Sequence, residues 1–216
     1  MMGYRYLDMA AYARRDEYDY FRSLAYPYVG VTVHADITPL HARVRAEGLP
    51  FFLSLLYVTS RAANEIPELR QRMRADGIVE YDVCPTSHTV SLGGGRYCYC
   101  MLRADCPFDV YLPTAVEAQE AARREASMTE SAADAESLFF VSTMPGIAFT
   151  SFVQPTPYPA DSNPRFMFGK FFAAGDRILL PFSVQVNHAL LGGQQLTAFF
   201  EALDRHIAAF GKGKSL

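Results

Sequence analysis

The chain has 216 residues, half of them hydrophobic and a fifth charged, with a formal net charge of −3. That length supports one sizeable core, and residues 1–216 are expected to form a single domain. With no basic block, nucleic acid is not an expected partner, because phosphate binding needs a clustered positive face.

The N-terminal stretch MMGYRYLDMAAYARR scatters its charges and has no apolar segment of the kind a secretory signal carries. From Asp8, a possible N-cap, the run to Leu24 patterns as a helix. YVGVTVHAD (28–36) alternates valines at 29, 31 and 33 and reads as a half-buried strand. Thr38 can cap a short helix through Ala46, and Pro50 starts a long buried helix to Arg70. The apolar run Leu49–Val58 within it is too short to span a bilayer, so no membrane association is expected. Strands are predicted at 77–83, 87–92 and 96–102, with Gly93–Gly95 turning the last two into a hairpin. A charged helix with one apolar stripe comes next, at 114–130. Strands are then predicted at 138–142, 147–152, 165–172 and 177–187, with a turn at Ala174-Gly175-Asp176, before an amphipathic helix from Gln194 to Gly211. Clustered strands with several helices imply an α/β fold: a two-layer sandwich of a mixed sheet with helices mainly on one face.

Aromatic residues are plentiful, 13 Tyr and 16 Phe, though Trp is absent. They suit a large flat core or a pocket for an apolar or aromatic small molecule. Cys84, Cys98, Cys100 and Cys106 form no C-x-x-C, and the reading is reduced thiols in a cytoplasmic protein. The five histidines show no metal spacing, so no metal is expected. One of them has a special context. In SVQVNHALLGG (183–193), a strand runs into Asn187 and His188 and then a glycine pair. A histidine fixed at a strand end can project into a cleft and serve as a base near neutral pH. The alternative is a histidine that only satisfies its own hydrogen bonds.

The stretch GDRILLPFSVQVNHALLGG resembles the active-site signature of the chloramphenicol acetyltransferase family. There an L-P-x-S-x-Q-V strand ends in two histidines, with Asp-Gly after a short apolar link. YARRDEYDYFRSL resembles the family's first helix, and HADIT (34–38) and NEIPELRQRM (64–73) resemble two further segments in the family's order. SLFFVSTMPGIAFTSF resembles its S-x-x-P strand and the x-x-F-x-S-F segment after it. The resemblance covers nearly the full length. It implies a homotrimer with active sites between subunits, acetyl-CoA as co-substrate, and direct acetyl transfer to a hydroxyl of a small molecule such as chloramphenicol. It implies His188 as general base and Ser142 as the oxyanion's hydrogen-bond donor. Tyr20 and Phe21 would bind the acceptor, and Lys170 would lie near the coenzyme phosphates.

The departures from the family pattern are specific. Asn187 replaces the first histidine. Gly192 stands where the family has an aspartate that pairs with an arginine, here Arg14. Met167 stands at a position often threonine, and Gly146 at one often tryptophan. They leave two alternatives: the same mechanism with another acceptor, or a weakly catalytic relative that binds ligand without turnover.

Overall fold

The strand Arg177–Asn187 is the axis of the molecule. Phe182, Val184 and Val186 alternate with Ser183, Gln185 and Asn187, so the strand has an apolar face and a polar one, and both are buried. A computed structural model describes residues 3–128 and 132–214. In chain order its strands are β1 (Tyr4–Tyr6), β2 (Tyr28–Asp36), β3 (Gln71–Arg74), β4 (Gly77–Tyr81), β5 (Thr86–Gly93), β6 (Arg96–Leu102), β7 (Phe139–Thr143), β8 (Arg165–Phe168), β9 (Phe172–Ala174) and β10 (Arg177–Asn187). The helices are α1 (Arg15–Phe21), α2 (Thr38–Glu47), α3 (Phe51–Glu65), α4 (Phe108–Glu125), α5 (Ala132–Ala135) and α6 (Gly193–Gly211).

The main sheet runs β2-β10-β8-β7-β5-β6, with β9 also on β10. The β5–β7 and β7–β8 pairs are parallel and the rest antiparallel, so the sheet is mixed as expected. A small sheet, β1-β4-β3, stands apart. One face of the main sheet carries the core. Phe199 of α6 packs on Phe166 and Phe182, and Phe52 of α3 packs on Phe168. The opposite face presents Ser142, Met167 and Ser183, which are neighbours in register across β7, β8 and β10. Residues 149–155 cross this second face, where Ser183 Oγ donates to Phe152 O and the Gln154 N–H donates to Gln185 Oε1.

Several expected elements differ. The first helix is only Arg15–Phe21, because the Asp8 carboxylate accepts from Ala10 N and closes a turn instead of capping a helix. Thr38 is not a cap either: its hydroxyl donates to Asp36 and accepts from Ile178 N, tying α2 to β10. The long helix stops at Glu65. Pro67 forces Ile66 to extend and leaves a short 3₁₀ turn over Pro67–Arg70. The fourth helix begins ahead of its charged stripe, at Phe108, and ends at Glu125; positions 129–130 of the expected helix lie outside the described residues. Residues 147–152 are not a strand, since β7 and β8 pair directly and leave no edge between them. The expected strand 165–172 breaks at Gly169, where a Cβ would stand 2.9 Å from both Phe149 and Pro181.

Candidate active site

His188 comes directly after β10, in a turn that is bonded on every side. Its N–H donates to Pro27 O at 2.7 Å, while Leu190 N and Leu191 N both donate back to Asn187 O. Asn187 is fully buried and holds the turn from inside: its Nδ2 donates to Asp161 O at 2.9 Å and its Oδ1 accepts from Ala189 N at 3.0 Å. The residue where the family pattern has a histidine is thus the turn's internal cap.

The imidazole's orientation comes from one bond. Nδ1 lies 2.7 Å from Leu191 O. A carbonyl can only accept, so Nδ1 carries a proton, and in the neutral ring the lone pair is on Nε2. Phe21 stacks on the ring at 4.0 Å between centroids, and Tyr20 meets Phe21 edge-on at 5.0 Å. Phe21 therefore touches the candidate base, whereas Tyr20 is 63% exposed.

Arg14 reaches the same turn. Its Nη1 donates to Leu190 O at 2.5 Å and its Nη2 to His188 O at 3.3 Å. This answers where the arginine goes without the family's aspartate: it holds backbone carbonyls. Gly192, the N-cap of α6, has ordinary extended geometry (φ −124°), and a Cβ there would lie 3.5 Å from Arg14 Nη2. Its N–H donates to Gln195 Oε1 at 3.0 Å.

Ser142 lies elsewhere. It lines a cavity of about 500 Å³ on the second face, with Thr89, Tyr97, Tyr99, Phe152 and Met167 among its walls. Thr89 Oγ1 is 3.5 Å from Ser142 Oγ. Aromatic walls with a few hydroxyls suit a small ring-bearing ligand. Ser142 pairs in register with Met167 and Met167 with Ser183, two strand spacings apart, and His188 is five residues past Ser183. At ~4.8 Å per strand and ~3.3 Å per residue, the two α-carbons are on the order of 19 Å apart. β7 and β10 also run in opposite directions, and Ser142 is level with the middle of β10 whereas His188 lies past its C-terminal end. One chain does not bring them together.

Lys170 is exposed between β8 and β9, with its N–H on Ile147 O. Phe171 beside it is 39% exposed and meets His41 at 5.1 Å and Phe51 at 5.2 Å. A cation next to an open aromatic face fits a phosphorylated nucleotide. A larger groove, about 760 Å³, runs along β2 and α6. Its Asp36, Glu201 and Asp204 would repel phosphates, and burial together with Asp36 raises the Asp204 carboxyl above its usual range. Gly146 faces open space. Among the described residues no His/Cys/Asp/Glu cluster of metal-binding form is present, the cysteines are free, and no helix is long and apolar enough to cross a membrane.

The family resemblance points to His188, Ser142, Tyr20, Phe21, Arg14 and Lys170 but not to Asn187's capping role or to Gln195. Gln195 carried a readable signal, as Gln at the third position of a helix.

A model of the family described as chloramphenicol acetyltransferase matches residues 2–204. A chloramphenicol acetyltransferase from Klebsiella sp is 25% identical over 206 residues, covering 94% of each chain. One from Proteus mirabilis is 26% identical over 197 residues, covering 89% of each. Among solved structures, a chloramphenicol acetyltransferase superposes with a TM-score of 0.84 at 25% identity, over 95% of this chain and all of that one. The cubic core of the pyruvate dehydrogenase multienzyme complex superposes at 0.68 with 19% identity, over 90% and 87% of the two chains, a likeness of fold.

Proposed function

The chain belongs to the chloramphenicol acetyltransferase family, and from that premise we propose that it moves an acetyl group from acetyl-CoA to a hydroxyl of chloramphenicol or a similar small aromatic acceptor. That it is an acyltransferase is given by the family and its relatives; the donor, the acceptor and the residue roles are the proposal.

The observation that carries the reading is the 2.7 Å contact between His188 Nδ1 and Leu191 O. With Nδ1–H engaged by Leu191 O, Nε2 is the free base. Nε2 takes the proton of the acceptor hydroxyl as its oxygen attacks the thioester carbonyl. The tetrahedral oxyanion accepts a hydrogen bond from Ser142 Oγ–H, the kind of donor whose removal elsewhere costs ~2.7–4 kcal/mol of barrier. Collapse breaks the C–S bond and expels the coenzyme thiolate, which takes the proton back from the imidazolium. Phe21 shields the ring from water. Lys170 and Phe171 supply a cation and a stacking face for the coenzyme's nucleotide end.

Histidine and serine stand on the order of 19 Å apart in one chain, so the reading requires a site shared between copies. We propose a homotrimer in which His188 of one subunit meets the Ser142 cavity of the next, in a cytoplasmic enzyme that acts on a small molecule and needs no metal. A second reading keeps the mechanism and changes the acceptor. Met167 and Gln154 in the cavity wall support it, since the first adds bulk and the second an amide. A thiol-release assay with acetyl-CoA tests both. Release with chloramphenicol supports the first reading, and release only with other hydroxyl acceptors supports the second. Coenzyme binding without release for any acceptor would identify a relative that binds and does not turn over, and would overturn both.

A further inference from the structure

One peptide group links the candidate base to the final helix. Its carbonyl end, Leu191 O, accepts the His188 Nδ1–H at 2.7 Å. Its amide end, Gly192 N–H, donates to Gln195 Oε1 at 3.0 Å. The group is planar and its C=O and N–H point in opposite directions, so rotating one end rotates the other. Hydrogen bonds at both ends polarise the amide in the same sense and strengthen the carbonyl as an acceptor. Gln195 is half-buried in the first turn of α6, a rigid element packed on the sheet through Phe199.

From this geometry we infer that Gln195 is a positioning residue for His188: through the Leu191–Gly192 peptide it fixes the imidazole's tautomer and tilt. The inference rests on the reading of His188 as the base. The same bond also satisfies an orphan N–H at the helix start, so the test must separate positioning from capping. Arg14 is the charged group held against the turn, with both of its bonds on the carbonyls of Leu190 and His188. It is left intact in every variant.

The experiment measures pH profiles of kcat and KM for the wild type, Gln195→Leu, Gln195→Glu and His188→Ala. It uses acetyl-CoA and the acceptor the wild type turns over fastest, with thermal unfolding in parallel. Gln195→Leu removes the polarising bond. Its kcat should fall roughly three- to tenfold, as for loss of one ordinary hydrogen bond, with KM unchanged. Its acid limb should move to lower pH, because the imidazolium faces a weaker acceptor. Gln195→Glu keeps an acceptor for the Gly192 N–H and adds negative charge near the imidazolium. It should retain wild-type kcat and move the acid limb to higher pH. Loss of thermal stability in Gln195→Leu with the acid limb unmoved in both variants would mean that Gln195 only caps the helix. Near-wild-type turnover in His188→Ala would instead remove the base assignment itself. A dead His188→Ala beside unmoved Gln195 limbs overturns the positioning role alone.

Discussion

Gly192→Asp probes the turn that holds His188. The backbone there is extended, so a side chain adds no strain. An added Cβ meets Arg14 Nη2 at 3.5 Å, Gln195 Oε1 at 3.6 Å and His188 Cε1 at 3.7 Å, all ordinary contacts. Three terms set the size of the effect. Replacing glycine lowers the entropy of the unfolded chain and stabilises by ~0.4–1 kcal/mol. Aspartate improves on glycine as an N-cap by a few tenths of a kcal/mol. A carboxylate within reach of Arg14 adds ~0.5–1 kcal/mol in a partly buried pair. The sum is about 1–2 kcal/mol, or ~2–8 °C in Tm for a chain of this size. Thermal unfolding of Gly192→Ala and Gly192→Asp, each alone and with Arg14→Ala, separates the terms. The alanine effect should be the same with and without Arg14, and the ~0.5–1 kcal/mol ion-pair part of the aspartate gain should disappear with Arg14 while its N-cap part remains. The pair holds the new carboxyl's folded pKa below its unfolded value. Its contribution is therefore present above pH ~4 and lost as pH falls below that. A clear loss of stability in Gly192→Asp would show that the turn has no room for a side chain, and an aspartate gain indifferent to Arg14 would show that no such ion pair forms.

The same geometry sets other outcomes. His188→Ala should lower turnover by ~10²–10⁴-fold while Tm changes little, as activity and calorimetry would show. Ser142→Ala should lower kcat by ~10²–10³-fold with KM unchanged, and a defect mainly in KM would contradict an oxyanion role. Asn187→Ala strands the Ala189 N–H in the interior and takes away one of the two donors to Asp161 O, leaving the Tyr28 hydroxyl. It should cost ~1–3 kcal/mol in denaturant unfolding and reduce kcat as well. Burial lowers His88 from 6.5 to about 4, and its Nδ1 has no partner. The unfolded chain therefore binds the extra proton first, so stability is full above pH ~6.5 and falls by up to roughly 3 kcal/mol as pH drops toward 4. His88→Leu should flatten that part of the stability profile, and an unchanged slope would assign it to other groups.

What the sequence made legible tracks how local each cause is. The β10 strand and the start of α6 come from alternation and periodicity, and the structure has them within about a residue of expectation. Elements decided by remote partners were not legible. Asp8 closes a turn rather than starting a helix, and Arg14 just beyond it is drawn away to the β10–α6 turn, a contact 174 residues distant. Residues 147–152 carry strand-like composition, yet β7 and β8 have already taken each other as partners. At the site, His188 and Ser142 were visible through sequence motifs. Their separation was implied only by the family resemblance, with its site between subunits; the residues themselves do not reveal it, because it depends on the strand order and directions. The fate of Arg14 was likewise hidden, since carbonyl acceptors leave no mark in the sequence.

The proposed site is built from His188 of one copy and Ser142 of another. Co-assembly of His188→Ala and Ser142→Ala chains tests it directly. In a ring with one His–Ser junction per pair of neighbours, each mixed trimer has one junction with both residues intact. Random assembly from equal amounts should therefore restore roughly a quarter of wild-type sites, in a preparation whose two parents are each nearly inactive. Activity no higher than the average of the parents, in confirmed mixed assemblies, would contradict the shared site.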